Sequence, residues 1–414
     1  MTARAKNRRG VSSPAEYALG LDIGTSRVRA LLAERTPSGE GRIVGVGTHP
    51  CRGLRRGEMV KLEDAVTAVQ AAVEQAEDMA GVEAAEAWLG LSGSQVSSIN
   101  ARASVMVNNP SRGVTAADEL RALNKVRAEK ISEGCRLLHA VPQEYDVGSR
   151  RGVIDPTGMS ARKLWLNAHL IQVSDSVMLD FARCCRQASL EVRGFTLQSL
   201  AAARAVLYAE ETTSGVLLLD IGGGTSDYAV FRGGVLRHTG VLGVGGDHVS
   251  NDISVGLHIQ INQAEEAKLE FASAAEPEPG QEDACPITPG PGGTVNRVSR
   301  RKLHVISRCR VEETFQLVRA ELEREGVFSG LASGVVLTGG GALLEGIEVP
   351  AQAVFGLNVR PGIPWGLDGL EGLADAVDYS TVVGLVKYGM EQESTARPRR
   401  RLFSGLSRLL DKYF

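Results

Sequence analysis

The apolar and polar positions of the chain follow one plan at two distant places. Residues Val216–Leu219 form a short, uncharged apolar run, which predicts a buried strand. Asp220 and the glycines Gly222–Gly224 come next, and a second apolar run ends at Phe231. This order predicts a β-hairpin whose tip leaves backbone N–H groups open to an anion. For the stretch taken alone, an ordinary glycine-rich hairpin turn is the lesser alternative.

The same plan occurs near the beginning of the chain, in Leu19–Glu34. Asp22 corresponds there to Asp220, and a glycine follows two residues later in each case. A third stretch, Val335–Ile347, again places an apolar strand before three glycines and a predicted helix. A motif repeated at long range predicts two similar lobes, each with a hairpin that binds phosphate.

Elsewhere the spacing of apolar residues predicts alternating strands and helices. Further strands are predicted at Ile43–Gly47, Ala87–Ser92, Arg136–His139, Leu164–Ile171 and Glu191–Thr196. Helices are predicted at Lys61–Met79, Asp118–Ala128 with a cap at Thr115, Ser176–Ser189, Gln198–Leu207 and Ser299–Glu325. From Ala87 to about Gln172 the pattern indicates an inserted α+β module, broken by Pro142, Pro156 and Gly158.

Composition narrows the class of protein. The 414 residues are 43% hydrophobic and 23% charged, which is typical of a soluble chain of two lobes or more. The net charge of −3 gives no reason to expect nucleic-acid binding. No apolar run approaches the ~20 residues of a membrane-spanning helix. Residues 1–16 are basic and without periodicity, which predicts disorder.

The six cysteines have no metal-site spacing. The neighbouring Cys184 and Cys185 are predicted to be buried thiols on a helix rather than a redox pair. The absence of a visible partner for His139 favours a structural or surface role over that of a general base. The stretch Ala274–Thr294 is rich in Pro, Gly and acidic residues, which predicts a flexible excursion.

Several polar residues of the glycine-rich stretches suit a phosphate group with a metal ion. Thr25, Ser26 and Thr225 add hydroxyl donors, while Asp22 and Asp220 add hard oxygens for Mg²⁺ or its waters.

Two later features have the same chemistry. Gly245 and Gly246 open a predicted helix whose N-terminus can face phosphate. Glu265 and Lys268 share one helical face, where a solvated ion pair explains them as well as a ligand does.

The three glycine-rich stretches resemble the phosphate-1, phosphate-2 and adenosine signatures of the actin, Hsp70 and sugar-kinase superfamily. Over nearly the whole chain, further segments resemble the FtsA family of bacterial cell-division proteins: His139–Val147, Asp155–Leu164, Asn262–Lys268, Tyr379–Gly389 and the C-terminal LFSGLSRLLDKYF. The resemblance implies an α/β, two-lobed actin-like ATPase fold. Its duplicated five-stranded mixed sheets have flanking helices, and a small α+β subdomain of the SHS2 type, called 1C, is inserted in the first lobe.

The resemblance also implies a division into subdomains. The implied bounds are 17–86 and 173–212 for 1A, 87–172 for 1C, 213–252 and 334–378 for 2A, 253–333 for 2B with the flexible excursion at 274–294, 379–390 for a return to 1A, and 391–400 for a linker.

ATP with Mg²⁺ is the implied ligand, held between the lobes. Asp22 and Asp220 would hold the metal through waters, and Gln198 and Asp220 are the candidate catalytic residues, although Gln198 is equally typical of a helix start. Arg27 stands where FtsA-like loops often carry Lys, and a planar guanidinium is not equivalent to an ammonium, which leaves the details of the phosphate contact open. Tight, metal-dependent ATP binding with slow turnover is expected. The implied nucleotide-binding residues are Asp22, Gly24, Thr25, Ser26, Arg27, Asp220, Gly222, Gly223, Gly224, Thr225, Gly245, Gly246, Glu265, Lys268, Gly339, Gly340 and Gly341.

Partners follow from the same resemblance. The acidic C-terminal peptide of the tubulin-like division protein FtsZ would bind subdomain 2B, where Arg300, Arg301 and Arg310 are the candidate contacts. A solvated basic face is the alternative, and it is slightly favoured for each arginine taken singly. Self-association into an actin-like protofilament is also implied, as is binding of other division proteins through 1C.

The last fourteen residues, 401–414, have the pattern of a helix that lies in a membrane interface. Six apolar residues fall on one face of the predicted helix, and basic residues border it. The apolar set is Leu402, Phe403, Leu406, Leu409, Leu410 and Phe414, and the basic set is Arg401, Arg408 and Lys412. The pattern predicts binding to anionic lipids of the inner membrane, with docking of the helix on the protein's own core as the alternative.

Together these features predict an actin-like ATP-binding protein that tethers an FtsZ filament to the cytoplasmic face of the cell membrane at the division septum. Two alternatives stay open. One is a pilus-assembly actin homologue of the PilM type, which usually has no C-terminal amphipathic helix. The other is a sugar-kinase-type phosphotransferase, in which Asp227 would serve as the base.

Overall fold

A computed structural model of the chain describes residues 9–10, 17–36, 40–129, 131–275, 283–287 and 296–395. The strands in these ranges are β1 (Arg9–Gly10), β2 (Tyr17–Ile23), β3 (Arg27–Arg35), β4 (Gly41–Pro50), β5 (Leu54–Arg55), β6 (Glu58–Met59), β7 (Val82–Glu83), β8 (Glu86–Leu91), β9 (Val96–Met106), β10 (Cys135–Val147), β11 (Arg150–Val153), β12 (Lys163–Ser174), β13 (Glu191–Leu197), β14 (Val216–Ile221), β15 (Ser226–Arg232), β16 (Val235–Leu242), β17 (Ala284–Ile287), β18 (Asn296–Ser299), β19 (Val335–Thr338), β20 (Val359–Pro361) and β21 (Leu367–Asp368).

Ten α-helices and three 3₁₀ turns lie in the same ranges. The helices are α1 (Leu62–Ala80), α2 (Ala116–Glu129), α3 (Asp175–Gln187), α4 (Gln198–Val206), α5 (Ala209–Ser214), α6 (Gly246–Leu257), α7 (Ile261–Phe271), α8 (Arg300–Arg324), α9 (Glu348–Phe355) and α10 (Ser380–Thr395), and the 3₁₀ turns are Gly340–Leu343, Leu370–Gly372 and Ala376–Tyr379.

Two mixed sheets with the same topology form the centres of two lobes. The first has the order β13-β8-β2-β3-β4-β21, and the second has the order β16-β15-β14-β19-β20. In each sheet the central strand, β2 or β14, is antiparallel to the strand that follows it and parallel to its other neighbour. The predicted duplication is therefore confirmed. The first sheet also has a sixth strand, since residues 367–368 pair with β4 rather than with the second lobe's sheet.

The first sheet is buried between helices on both faces. Helix α1 packs on β3 and β4 through small residues, and its buried face includes Ala65, Val69 and Ala72. Helix α10 covers the opposite face, where an ideal Cβ on Gly20 would lie 2.8 Å from the carbonyl oxygen of Val382. Because a sheet covered on both sides needs apolar residues at every position, β2 carries a continuous buried run.

The inserted module is a four-stranded antiparallel sheet of order β11-β10-β12-β9 with α2 packed on one face. The predicted cap of α2 is present, because Thr115 N donates to Asp118 Oδ2 at 3.0 Å and Asp118 N donates to Thr115 Oγ1 at 3.4 Å. The module begins later than residue 87, since β8 pairs with β2 and β13 in the first lobe's sheet.

Strand β10 corrects the prediction of a break at Pro142. The strand continues through this proline because the ladder with β12 shifts register between Pro142 and Glu144. Proline is tolerated at such an irregularity, where no ladder hydrogen bond from its nitrogen is needed. Strand β9 was not predicted, because its alternation of Ser, Asn and Arg with small apolar residues gives a weak period.

The inserted module also bonds to the second lobe through β16. Gln143 Nε2 donates to the carbonyl oxygens of Leu236 and Arg237 at 2.9 and 3.0 Å. Ser98 Oγ donates to Thr239 O at 2.8 Å, and His169 Nε2 lies 2.9 Å from Thr239 Oγ1. The module is therefore attached to both lobes.

Three further boundaries differ from the sequence prediction. Helix α10 extends to Thr395, so the predicted linker at 391–400 begins with helix. Within the predicted flexible excursion, β17 pairs with β18, which lies just beyond it, and Cys285 and Ile287 are buried in the core of the second lobe. Within the predicted disordered tail, Arg9–Gly10 pair with β7.

The predicted C-terminal helix at 401–414 lies outside the described residues. None of the helices in the described ranges combines the length and the apolar character that crossing a membrane requires.

Two predictions about single residues are confirmed. Cys184 and Cys185 are fully buried on α3, and burial raises the pKa of both thiols to about 12. His139 is structural: its buried Nε2 accepts a hydrogen bond from Leu197 N at 3.1 Å, and burial lowers the pKa of this imidazole to about 3.

We expect Gly47→Ala to destabilise the first lobe by about 2 kcal/mol or more, because an ideal Cβ there would lie 1.8 Å from the carbonyl oxygen of Ala72 in α1. The urea midpoint of unfolding measures this change. The matched control is Gly372→Ala, whose Cβ would meet nothing within 4 Å. Equal midpoints for the two variants would contradict this account of the packing of α1 on β4.

Candidate functional site

The two glycine hairpins end in the same four-residue turn. Gly24 N donates to Arg27 O at 3.0 Å, and Gly222 N donates to Thr225 O at 2.8 Å. In both hairpins the carboxylate residue stands one position before the end of its strand, so Asp22 and Asp220 occupy equivalent places. The repeat found in the sequence is therefore also a repeat of geometry.

The tips of the two hairpins contact each other. Ser26 Oγ donates to Asp247 Oδ1 at 3.0 Å, at the beginning of α6 in the second lobe. An ideal Cβ on Gly223 would lie 1.8 Å from Ser26 Oγ, and one on Gly224 would lie 2.5 Å from Thr25 Oγ1. These glycines are needed because the facing hairpin occupies the space that a side chain would fill.

A cavity of about 510 Å³ lies where the hairpins meet. All seventeen residues that the sequence predicted for the nucleotide line it, together with Gln198. They come from both lobes and from all three glycine-rich stretches, so the fold brings together residues more than 300 positions apart in sequence.

Asp22 and Asp220 are buried in the cavity wall, with 9% and 7% of their surface exposed. Gln198 Nε2 donates to Asp22 Oδ1 at 2.7 Å, and Thr381 Oγ1 donates to Asp220 Oδ2 at 2.6 Å. The pKa of Asp22 is raised to about 7 and that of Asp220 to about 6, with burial as the largest cause in both. Asp378 contributes to both increases, whereas the Arg29 guanidinium and, for Asp220, the hydrogen bond from Thr381 oppose them.

Asp227 is the third buried carboxylate of this group. It accepts hydrogen bonds from Ser92 Oγ at 2.6 and 2.7 Å and from Thr225 Oγ1 at 3.1 Å. Burial raises the pKa of Asp227 to about 7 against these hydrogen bonds, with smaller raising by Asp220 and Asp22.

The third glycine stretch passes close to Asp220 at Gly339. Gly339 has a positive φ of 82°, and an ideal Cβ on it would lie 2.2 Å from Asp220 Oδ1. A 3₁₀ turn, Gly340–Leu343, follows the strand, and the α-helix predicted directly after the glycines begins only at Glu348. The glycine-rich loop thus lets the backbone pass close to the carboxylate.

Helix α6 begins at the second hairpin. Gly246 N donates to Gly222 O at 2.9 Å, and Asp247 N donates to Gly223 O at 2.8 Å. These first amides of the helix therefore fix the hairpin in place, whereas the sequence suggested that they face phosphate.

Glu265 and Lys268 form an ion pair of 2.8 Å on α7. Lys268 Nζ also donates to Gly246 O at 3.2 Å, which ties α7 to the beginning of α6. The pair lines the cavity and at the same time has this structural contact.

Sequence reasoning missed Arg29 and Asp378, which form an ion pair in the cavity wall. Arg29 follows Asp22 by seven residues, the same interval that separates Asp227 from Asp220. That interval is a signal that points to Arg29. Nothing local points to Asp378, which lies 349 positions further along the chain.

Acidic side chains outnumber basic ones around the cavity. Within the described part of the chain, no group of three or more His, Cys, Asp or Glu side chains is arranged to hold a metal ion directly. A divalent ion bound through waters nevertheless fits the surplus of buried carboxylates. The acidic side chains of the lining are Asp22, Asp220, Asp227, Asp247, Glu265, Glu270, Glu345, Asp375 and Asp378, and the basic ones are Arg27, Arg29 and Lys268.

The arginines predicted to bind a partner lie on α8 and are not part of the cavity lining. Arg301 is exposed, whereas Arg310 is paired with Asp252 and Glu313 at 2.5 Å each. Nine residues make about two and a half helical turns, so Arg301 and Arg310 point to opposite sides of α8. The guanidinium of Arg300 lies 5.5 Å from the ring of Phe271. The three arginines therefore do not form one patch.

Two family models match the chain. The model of the cell division protein FtsA matches residues 217–384, and the model of the SHS2 domain inserted in FtsA matches residues 93–172. The second match covers the inserted module as the structure delimits it.

Curated relatives match over most of their length. The chain is 37% identical to the cell division protein FtsA of Pseudomonas aeruginosa over 91% of the chain and 90% of the relative. It is 35% identical to that of Escherichia coli K12 over 90% of each, and 31% identical to that of Bacillus subtilis over 90% of the chain and 83% of the relative.

Solved structures share the actin-like fold at lower identity. The PilM–PilN type IV pilus biogenesis complex matches with a TM-score of 0.67 and 18% identity, over 91% of this chain and 99% of the other. MreB5 of Spiroplasma citri bound to AMPPNP matches with a TM-score of 0.56 and 14% identity, over 93% and 99%. At these identities the likeness concerns the fold alone.

Proposed function

This chain belongs to the FtsA family of cell division proteins, and from that premise we propose that it binds ATP with Mg²⁺ between its lobes and polymerises as an actin-like filament. In this proposal the filament attaches FtsZ to the cytoplasmic face of the cell membrane at the division septum. Membership of the family supports an actin-like role in cell division. ATP, FtsZ and the membrane are the parts proposed here.

The proposal of nucleotide binding rests on one observation: the three glycine loops converge on one cavity. Each hairpin places glycine backbone and hydroxyl side chains in the lining of the cavity, which suits phosphate. The structures of MreB5 of Spiroplasma citri bound to ADP and to AMPPNP have the same fold with a nucleotide. ATP is therefore the ligand proposed for this cavity.

Mg²⁺ is proposed because the cavity is acidic and ATP is an anion. Asp22 and Asp220 would hold the ion through waters, and the ion would supply the positive charge that phosphate needs beside these carboxylates. Gln198 is fixed by its hydrogen bond to Asp22, which leaves its Oε1 as the group that would orient a water. With no stronger base assigned to that water, slow turnover is expected.

The membrane contact is proposed for residues 401–414 on their sequence pattern. Six large apolar side chains at ~1.5–3 kcal/mol each, half buried, contribute roughly 5–9 kcal/mol. Each basic residue near an anionic leaflet adds up to ~1 kcal/mol. Ordering the segment costs about 1 kcal/mol per residue and removes most of this gain, so one copy binds weakly. Polymerisation would join many such helices and strengthen attachment through avidity.

The likeness to the PilM complex supports no second function, because it is a likeness of fold at 18% identity. The curated FtsA relatives are 31–37% identical over about nine-tenths of the chain. No observation on the cavity favours a sugar-kinase reaction, since the carboxylate of Asp227 already accepts hydrogen bonds from Ser92 and Thr225.

Asp220→Ala is expected to weaken ATP binding in Mg²⁺ by at least about tenfold, because it removes one of the two proposed water-mediated metal contacts. Isothermal titration calorimetry with ATP measures the affinity. Asp180→Ala, at an exposed position of α3, is the matched control and should bind as the unmodified chain does. Unchanged affinity in Asp220→Ala would refute the assignment of the metal site.

The full chain is expected to sediment with anionic liposomes, and residues 1–395, which keep α10 whole, are expected to stay in solution. Leu406→Glu should abolish sedimentation, because it places a charge at the centre of the apolar face. Ser404→Glu, on the opposite side of the projected helix, is the charge-matched control. If both Glu variants behave alike, the apolar face is not the anchor.

Arg301→Glu is expected to weaken binding of an FtsZ C-terminal peptide by about fivefold or more, since it reverses an exposed charge at the beginning of α8. Fluorescence anisotropy with a labelled peptide measures this. Arg324→Glu, at the exposed far end of the same helix, controls for net charge. Equal loss in both variants would assign the effect to general electrostatics rather than to this end of α8.

A further inference from the structure

The two duplicated hairpins differ in charge at one equivalent position. Arg29 is the cross-strand neighbour of Asp22 in the first hairpin, and Asp227 is the cross-strand neighbour of Asp220 in the second. Residues directly opposite on antiparallel strands share a face of the sheet. The first lobe therefore places a guanidinium beside its carboxylate, where the second lobe places another carboxylate.

Arg29 is held in a fixed and nearly desolvated position. It forms an ion pair with Asp378, and the two side chains are only 11% and 15% exposed. Asp378 in turn lies against the third glycine stretch, since an ideal Cβ on Gly340 would be 2.7 Å from Asp378 Oδ1. The Arg29 guanidinium also lies 5.5 Å from the ring of Tyr379. These contacts keep the charge at the cavity wall.

The two other cations of the cavity are differently placed. Arg27 is exposed at the tip of the first hairpin, and Lys268 is committed to Glu265 and to the carbonyl oxygen of Gly246. Arg29 lies opposite Asp22 on the neighbouring strand, and its partner Asp378 lies against Gly340. The adjacent Gly339 lies against Asp220, since an ideal Cβ on it would be 2.2 Å from Asp220 Oδ1, so the guanidinium is placed near both carboxylates.

We propose that Arg29 is a built-in cation of the nucleotide site, which supplies part of the positive charge that Asp22 and Asp220 need, and that Asp378 is the positioning residue that holds it. The inference rests on the proposed ATP site. It implies that Arg29 competes with a divalent metal for the two carboxylates and partly replaces that metal when ATP binds. Removing Arg29 should then make ATP binding more dependent on metal.

The first test uses Mn²⁺ alone, so it does not depend on the nucleotide. Electron paramagnetic resonance measures free Mn²⁺ in a titration of the full chain. Arg29→Gln should bind Mn²⁺ about tenfold more tightly than the unmodified chain, because the competing charge is gone. Asp378→Asn should bind it more weakly, because one acid is lost and Arg29 is left to Asp22 and Asp220. An affinity within twofold of the unmodified chain in Arg29→Gln overturns the proposal.

The second test measures ATP affinity by calorimetry in EDTA and in saturating Mg²⁺. Arg29→Gln should lose about tenfold in EDTA and less than threefold in Mg²⁺, whereas Arg29→Lys, which keeps the charge, should stay within threefold in both. An equal loss under the two conditions would mean that Arg29 contacts ATP or only supports the fold, and it overturns the proposal. The proposal is also overturned if the unmodified chain binds ATP in Mg²⁺ but does not bind it in EDTA.

Two controls separate this inference from the proposed function and from misfolding. Arg42→Gln removes an Arg–Glu pair of the same sheet outside the cavity, and it should change neither titration. Thermal unfolding of every variant reports whether the fold is kept. If the unmodified chain binds no ATP under any condition, the proposed function fails, while the Mn²⁺ series still decides the role of Arg29.

Discussion

Burial of like charges at one point is the constraint on which the rest of the structure depends. Duplication of the sheet places Asp22 and Asp220 at equivalent strand ends, and the meeting of the lobes removes both from water. Desolvation of a carboxylate is costly unless donors or cations replace the lost water. Donors from α4 and α10, and the charge of Arg29, meet that requirement. The glycine loops leave room for a ligand, which would supply the remaining charge or hydrogen bonds that the buried carboxylates require.

The parts of the fold with a strong local signal could be predicted from sequence. The paired hairpins, α1 and α4 have clear periods and turn residues, and their positions agree with the structure to within a few residues. Strand β9 and the continuation of β10 through Pro142 could not be predicted, because their conformation is fixed by pairing with β12 rather than by local preference. The pairing of β17 with β18 was likewise hidden by the prolines and acids around it.

In the candidate site, too, residues with a sequence signal could be predicted and residues without one could not. Residues that belong to a repeated motif were found, because repetition marks them regardless of distance, and the fold brings them into one cavity. Asp378 and Thr381 were missed, since each acts through a partner more than 150 positions away and neither stands in a glycine motif. Nothing local indicated that Arg310, one of the candidate partner contacts, pairs with Asp252 on α6.

The hydrogen bonds between the inserted module and β16 couple the position of the insert to that of the second lobe. Strand β16 leads directly into α6, and the first amides of α6 hold the tip of the second hairpin. The insert forms hydrogen bonds to β16 through Gln143, Ser98 and His169. A rotation of the second lobe must therefore either carry the insert with it or break these hydrogen bonds. If the bonds hold, the orientation of the insert's surface changes with the angle between the two lobes around the cavity.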